Sequence, residues 1–472
     1  MNREDFIMAD FRKKVFIFCL IFCLLAAIAQ QSFARGGSKT NIKQLQRIDV
    51  RDLGYPMVNE IPNNSSAVTS LMTAGSGKIY GGTSGEYAYL FLFDPAINKA
   101  KHLGRIKNQQ GIHHSLVEDK NGCIYIGTGK DVGEEFELSK YGPRPGPTDM
   151  MPWGDVTKVF EDNYSDHVLY EMKLSKGVMG WQYIDIILWN DIKNCFKDYP
   201  GGHLYRYNPK TSDNKVKLPE MDCELEDLGV PVANNSIYAL AIDAQKGVIY
   251  GLSYPDGHFF IYDIPAKKFR DLGPIDEKIT FRGPERRWRS LPRDLVRDSA
   301  TGRVYTSGTD GMLVYYCPDS NKIISTDLKV PSDDYHAQSY IDYAVVDYFS
   351  KSPSGLIYGG SSDGYLFSFD AQKTELVNLG KPRASRRLRC LAVGNDGKVY
   401  MIAGERSTSR VCQFYSYDPA KGGFEDLGIL FVDRSPYYSY RGYQFDSMTT
   451  GADGTIYFGE SERRSHLFLY IP

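Results

Sequence analysis

Eight histidines are spread over 472 residues, and two of them stand side by side: His113 and His114 in QQGIHHSLVEDKNGCIYIGTG. An imidazole near its ordinary pKa can take or give a proton at neutral pH, or hold a metal ion. Three more histidines each open an apolar segment: His203 in GGHLYRY, His258 in GHFFIYD and His466 in SHLFLYIP. Tyr238 in SIYALAID, Tyr254 in SYPDGH, Arg293 in LPRD and Arg389 in RRLRC supply phenols and guanidinium groups. Three chemistries could draw on such a set. Zinc could take two or three imidazoles, but no HExxH or CxxC accompanies them. Hydrolysis by paired carboxylates needs two acids across the scissile bond, and Asp446 is the main one offered. Proton abstraction beside a carboxylate fits better. There an arginine or imidazolium neutralises the carboxylate, an imidazole or tyrosinate removes the adjacent proton, and a tyrosine or second histidine protonates the leaving oxygen. His114, His203, Tyr238 and Arg293 contain every role for such a β-elimination, whose product is an unsaturated uronate.

These residues are far apart in sequence, so a repeating fold must bring them together. The pattern [IV]-Tyr recurs at Tyr80, Tyr125, Tyr250, Tyr305, Tyr358, Tyr400 and Tyr457, each time within a run of short apolar segments and Gly-rich turns. The third copy shows the unit as SIYALAID, GVIYGLS, HFFIYD and KKFRDLG, four short strands ending in Leu-Gly. Four antiparallel strands at this period make a propeller blade, which buries its faces only against neighbouring blades. The last copy stops after SHLFLYIP, and the N-terminal part offers an orphan fourth strand, QRIDVRDLG. The expected fold is therefore all-β, a seven-bladed β-propeller whose last blade is completed by the N-terminal strand. Blade 2 carries a long insertion, 130–202, whose segments MPWGDVTKVFEDN and WQYIDIILWNDIKNCF look amphipathic and helix-like. Such an insertion forms either a wall beside the mouth, which would bring Trp153 to a substrate, or a structural flap that packs its own Trp153, Trp181 and Trp189.

Register then names the residues at one mouth of the central channel. Aligning the inner strands on Leu71, Leu116, Leu240, Leu295, Leu391 and Met448 places Thr69, His114, Tyr238, Arg293, Arg389 and Asp446 two residues earlier, with Tyr343 near that place in blade 5. Third strands return to the same face with Tyr89, His203, His258, Tyr365 and His466, and Tyr254 precedes His258 in its turn. Strand alternation turns His113 away from His114, toward the adjoining blade. A ring of blades needs no such polar set to close, and buried polar groups are costly unless paired.

Composition narrows the partners. The net charge of -2 gives no bulk field for nucleic acid or anionic membrane. Nine arginines in FRGPERRWRSLPRD and KPRASRRLRC, both leading to the same mouth, form a local surface for an acidic glycan. At the N-terminus Arg12, Lys13 and Lys14 precede an apolar run from Val15 to Ile28 and small residues at Ser32 and Ala34, so 1–34 reads as a signal peptide and 35–472 as one exported domain, periplasmic or extracellular. No integral membrane domain is expected, and a monomer is. Six cysteines remain after that segment, too scattered for a disulfide scaffold, although a bridge between Cys195 and Cys223 is compatible with export. No cofactor is predicted. A structural calcium or zinc needs no motif of its own.

The segments HHSLVEDKNGCIYIGT, GGHLYRY and YALAIDAQKGVIYGLSYPDGHFF resemble a group of secreted bacterial seven-bladed propellers that degrade acidic, rhamnose-containing polysaccharides. The group includes ulvan lyases, and lyases and rhamnosidases acting on rhamnose-capped glucuronate of arabinogalactan; the resemblance spans residues 44–472. It implies an elimination site of two histidines, a tyrosine and an arginine, matched by position to His114, His203 and Tyr238. The arginine's place is taken by Tyr254, leaving Arg293 or His258 to neutralise the carboxylate. Rhamnosidase-like members use a histidine of the first blade on the opposite face, and 35–101 contains none. The expectation is a polysaccharide lyase acting on uronate linkages, with L-rhamnose-α-1,4-D-glucuronate of arabinogalactan-type or ulvan-like glycans as the linkage. Catalysis is assigned to His114, His203 and Tyr238, and substrate contact to Arg293, His258, Tyr254, Arg389 and Trp153. The alternatives are an α-L-rhamnosidase and a non-catalytic carbohydrate-binding propeller.

Overall fold

The tyrosines of the seven [IV]-Tyr pairs all lie on second strands and are at most 4% exposed, which is why the pair recurs. The computed structural model describes residues 48–52, 61–130, 198–212, 221–275, 291–308, 310–333, 344–384, 387–404, 412–434, 438–461 and 466–472, with the backbone of 169–176 and 182–188. Contacts group Leu45–Pro472 as one compact unit, apart from Met1–Gln44.

Seven four-stranded antiparallel sheets form the blades of a β-propeller. The inner strands, in blade order, are Ala67–Thr73, Leu116–Glu118, Ser236–Asp243, Val296–Arg297, Val346–Lys351, Cys390–Val393 and Phe445–Thr450. Blade 7 is completed from the other end of the chain: Ile48–Asp52 pairs antiparallel with His466–Tyr470, Ile48 opposite Tyr470 and Asp52 opposite His466. Val50 enters the core there at 1% exposure, so ring closure buries apolar surface as well as two strand edges.

The glycine that follows the recurring tyrosine in three copies has a packing reason. A Cβ on Gly81, Gly251 or Gly359 would sit 2.0–2.1 Å from the ring of Phe91, Phe260 or Phe367 on the third strand. Each phenylalanine is fully buried. Burying such a ring is worth about 2 kcal/mol, and any side chain at the glycine would displace it.

The insertion falls within blade 2, between the second strand Ile124–Gly127 and the third strand Leu204–Tyr207. Between residues 131 and 197 its described part is an antiparallel hairpin, Leu169–Lys176 with Gln182–Leu188. The helix-like reading of WQYIDIILWNDIKNCF is corrected at QYIDIIL, which is a strand. Three isoleucines in seven residues favour the extended backbone over a helix. Trp153, Trp181, Trp189 and Cys195 lie outside the described residues.

One local device turns the inner strands into a site. In blades 1, 3, 5 and 7 the pairing between first and second strands slips at one residue, between Val68 and Ser70, Ile237 and Ala239, Val346 and Tyr348, and Phe445 and Ser447. The bulged residues are Thr69, Tyr238, Asp347 and Asp446. In blades 2, 4 and 6 the regular strand begins one to three residues after the equivalent position, held by His114, Arg293 and Arg389. A bulge breaks alternation and re-aims a side chain, here toward the channel and across it. The blade 5 position is therefore Asp347; Tyr343, read near that place from sequence, lies outside the described residues. Among the described residues no helix is long and apolar enough to cross a membrane.

Candidate functional site

The side chains at the bulge position meet across the channel. Arg293 Nε donates to the Tyr238 hydroxyl at 2.8 Å, joining blades 3 and 4. Arg389 Nη1 donates to Asp446 Oδ1 at 3.0 Å, and Arg293 Nη1 lies 3.8 Å from the same oxygen, reaching from blade 4 to blade 7. Asp347, fully buried, accepts from Arg387, whose Nη2 is 3.4 Å from Oδ1 and whose Nε is 3.3 Å from Oδ2. On blade 1, Thr69 Oγ1 donates to the Ile112 carbonyl at 2.6 Å. Arg293 and Arg389 are each 8% exposed and Asp446 6%.

His113 and His114 sit on the same group. The His114 ring is 6.4 Å from that of Tyr238 and 5.3 Å from that of Tyr348, both edge-on. Tyr348 crosses beneath, donating to the Met448 carbonyl at 2.8 Å and accepting from its amide at 3.2 Å, so blades 5 and 7 share a phenol under the mouth. The His113 ring is 5.2 Å from Tyr238 and its Nε2 is 3.4 Å from the Lys130 carbonyl. A carbonyl only accepts, so that contact places the proton on Nε2 and leaves the Nδ1 lone pair as a base. His113 does pack on the adjoining blade, through Tyr238, but the expectation that it faces away from His114 is corrected, since both rings meet that tyrosine: the Ser115 amide and hydroxyl both turn back to the His113 carbonyl, a tight turn in which strand alternation does not hold. Among the described residues, no hydrogen bond engages the His114 ring nitrogens. Tyr254 stacks on Tyr238 at 5.4 Å and 30°. Both histidines and both tyrosines are enclosed by protein yet keep part of their surface open to solvent.

The electrostatics follow from this enclosure. Burial lowers the His113 imidazole to about 4 and the His114 imidazole to about 3, helped by the Arg293 charge. Both are neutral at pH 7. Burial raises the Tyr238 phenol well above its ordinary value, against the opposing pull of Arg387. Arg293 falls to about 9, first through burial and then through repulsion by Arg387 and Arg389. Burial works against the Asp446 carboxylate, but Arg389 and Arg293 hold it well below the usual range. Asp294, next to the ring in sequence, points elsewhere: it accepts from the Leu295 and Phe349 amides, and burial lifts it to about 7.

His203 and His258 are placed differently. His203 Nδ1 is 2.9 Å from both oxygens of Asp227, and its ring stacks on Tyr205 at 5.7 Å. His258 Nδ1 stands 2.9 and 3.1 Å from the oxygens of Asp271. Each aspartate belongs to an Asp-Leu-Gly on the fourth strand and also accepts from that glycine's amide, at 2.9 Å for Gly229 and 2.8 Å for Gly273. Blade 6 repeats the arrangement with Gln413 Nε2 on Asp426. The structure therefore does not bring the rings of His203 and His258 against His114 and Tyr238. His203 does share their height, since it pairs with Thr128, and Gly127 pairs with Ser115. It lies two strands out, about 10 Å from the inner strand.

Sequence reasoning missed His113, Asp347 and Arg387. Counting back two residues from Phe349, as in the other blades, would have found Asp347; nothing in its composition singled out Arg387 from its arginine-rich stretch. Among the described residues, no group of three or more His, Cys, Asp or Glu side chains is arranged to hold a metal ion.

No family model matches the chain, and no curated protein does. Solved structures match its fold at low identity. A fungal alcohol oxidase of the AA5 family, in complex with copper, superposes with a TM-score of 0.52 at 12% identity over 92% of this chain and 77% of that one. A catalytically inactive virginiamycin B lyase from Staphylococcus aureus with quinupristin gives 0.51 at 8% identity, over 90% and 99%. The extracellular domain of a putative one-component system from B. thetaiotaomicron gives 0.48 at 14%, and this chain spans 40% of that chain's length. These likenesses concern the propeller scaffold, which hosts unrelated chemistries.

Proposed function

We propose that the protein is an exported polysaccharide lyase that breaks uronate-containing glycans by β-elimination at this channel mouth. The observation that carries the reading is His114: a neutral, enclosed imidazole with solvent access, beside a tyrosine whose oxygen is held by an arginine. The arginines of blades 4 and 6 neutralise the substrate carboxylate, which makes the adjacent C5 proton removable. His114 takes that proton. The electron pair forms the C4–C5 double bond as the C4–O bond breaks, and Tyr238 donates its proton to the departing oxygen. Arg293 donates to the Tyr238 oxygen, so the phenol's own proton is directed elsewhere and its phenolate is stabilised as it forms. The proton held by imidazolium then returns to the phenolate, and no water is consumed. His113, with Nδ1 as its free lone pair, stands beside the same phenol.

His203 and His258, two strands outward, are assigned to the neighbouring sugar, with Tyr254 and Arg389 completing contacts within the mouth. Rhamnose-capped glucuronate of arabinogalactan-type glycans and ulvan-like polymers is the proposed substrate class. Incubation with these glycans should generate the ultraviolet absorbance of a conjugated uronate. A saturated product would replace this reading with a rhamnosidase; retention of the glycan with no product would replace it with a carbohydrate-binding propeller.

A further inference from the structure

Arg441 stands apart from the other arginines. Each of those with a described side chain has a partner, such as Asp243 for Arg297 or the ring of Tyr315 for Arg303, whereas Arg441 has no hydrogen bond, ion pair or ring contact among the described residues. Its Nε is closed off from solvent and still meets no acceptor. A guanidinium is always charged, and folded proteins seldom leave a buried donor without a partner, so this one asks for an occupant.

The side chain rides on the hairpin Phe431–Arg434 with Tyr438–Arg441, which leads from the last strand of blade 6 into the inner strand of blade 7 and so lies on the side of the mouth. One face of the hairpin packs down. Val432 is 5% exposed, the Tyr440 ring opposite it lies 3.9 Å from that of His466, and a Cβ on Gly442 would strike the Phe445 ring at 2.3 Å. Glu460, fully buried beneath, accepts from the Tyr440 hydroxyl at 2.7 Å and from the Tyr443 amide at 3.1 Å, which fixes the base of the hairpin. Gly442 continues the pairing, its amide donating to the Leu430 carbonyl at 2.9 Å, so alternation carries through and turns Arg441 and Tyr443 to the other face. Tyr443 is 49% exposed, and its ring meets no other ring among the described residues. Asp446 follows three residues later, which keeps Tyr443 within about 10 Å of the mouth. Asp433 shares the upper face but forms no ion pair with Arg441, and Asp446 is held by Arg389.

The geometry points to Arg441 and Tyr443 as a subsite for a second acidic sugar of the same chain; this rests on the reading of the mouth as a uronate site. The guanidinium matches a carboxylate through two parallel hydrogen bonds, and the phenol ring offers a flat apolar surface to the C–H face of a pyranose. The place of the pair in the ring decides which sugar it takes. The oxygen departing from C4 is protonated by Tyr238 on blade 3, which stands nearly opposite blade 7 in a ring of seven. The chain attached through C1 of the cleaved uronate therefore extends toward blade 7, and the sugar on Arg441 belongs to that side of the bond. A glycan capped by a single glucuronate has no further carboxylate to place there, whereas a polymer in which uronates recur does. The subsite thus selects the ulvan-like member of the proposed substrate class.

The test compares a hexasaccharide of alternating rhamnose and glucuronate with the methyl glycoside of rhamnosyl-glucuronate, in the full chain and in the variants Arg441→Met and Tyr443→Ala. Each variant should lower the ratio of kcat/KM on the hexasaccharide to that on the short glycoside by about tenfold, mainly through KM. Arg441→Met gives up no partner within the protein, so its melting point should hold. A ratio unchanged in both variants would overturn the subsite. Should the unaltered protein cleave neither substrate, calorimetry with the hexasaccharide decides. Weaker binding by Arg441→Met would keep the subsite and sink the lyase reading, while equal binding, or none by the unaltered protein, would overturn the subsite.

Discussion

Histidine serves two different ends in this molecule, depending on which strand carries it. On the third strands of blades 2 and 3, His203 and His258 are each held by both oxygens of a fourth-strand aspartate, an arrangement that recurs with glutamine in blade 6. On the inner strand of blade 2, His113 and His114 have no carboxylate in hydrogen-bond contact among the described residues, and their neighbours are the rings of Tyr238 and Tyr348. What repeats from blade to blade belongs to the blade. The inner-strand position carries Thr, His, Tyr, Arg, Asp, Arg and Asp in turn, and no packing rule of the repeat selects that series. The difference teaches that a repeat protein's site is best sought where the repeat is broken, at the bulged or frayed start of the inner strands.

The contrast can be broken by substitution. The largest effect is expected at the mouth: His114→Ala and Tyr238→Phe should each lower elimination by about 10²–10⁴-fold, since each removes a proton-transfer group, while Tyr238→Phe, which takes the acceptor from Arg293 Nε, should cost only about 1–3 kcal/mol in stability. Activity within a few fold of the unaltered protein would remove the residue from the site. Next is Asp446→Ala, which removes the carboxylate that Arg389 and Arg293 share in an enclosed site and should cost about 3–5 kcal/mol in urea unfolding. A cost near zero would mean that the ring of charges is not a coupled unit.

A pH titration sharpens the same contrast. In the fold His113 and His114 sit at about 4 and about 3, below the ordinary value of 6.5, so the unfolded chain binds more protons between those values. Their contribution to stability is complete above the unfolded pKa and is lost as pH falls toward 4 and then 3. Imidazole nitrogen NMR at pH 5 should show both rings neutral, and His114→Gln should flatten part of the acid limb of the stability curve; imidazolium signals from both at that pH would contradict their enclosure. The smallest effect is expected at the outer pair. His203→Gln keeps a donor to Asp227 and, as a half-exposed pair is worth about 0–1 kcal/mol, should hardly move the melting point. Its effect on cleavage should stay under about tenfold, and a larger one would bring His203 into the chemistry.

Much of the architecture was legible because the repeat is written in residues that cannot be exchanged cheaply. The buried tyrosines and their adjoining glycines mark the second strands, and QRIDVRDLG completes the final blade as its missing strand implied. Six of the mouth positions also followed from register. Blade 5 did not, because AVVDYFSK carries Phe349 where the other inner strands carry Leu or Met; the slip between Val346 and Tyr348 marks Asp347, two places before it, as the residue turned inward. His113 was misread because alternation was assumed through a turn closed on its own carbonyl. The roles of His203 and His258 were opaque for another reason: their partners are aspartates 24 and 13 residues later, in a motif read only as the end of a blade.

The most direct measurement is cleavage of a rhamnose–glucuronate oligosaccharide in water enriched in heavy oxygen, with the products weighed by mass spectrometry. Elimination at the channel mouth predicts two fragments whose masses add up to that of the substrate, neither carrying the label. A fragment that has gained labelled oxygen would show that water attacked the linkage, and the account of His114 and Tyr238 as a base and acid pair would be wrong.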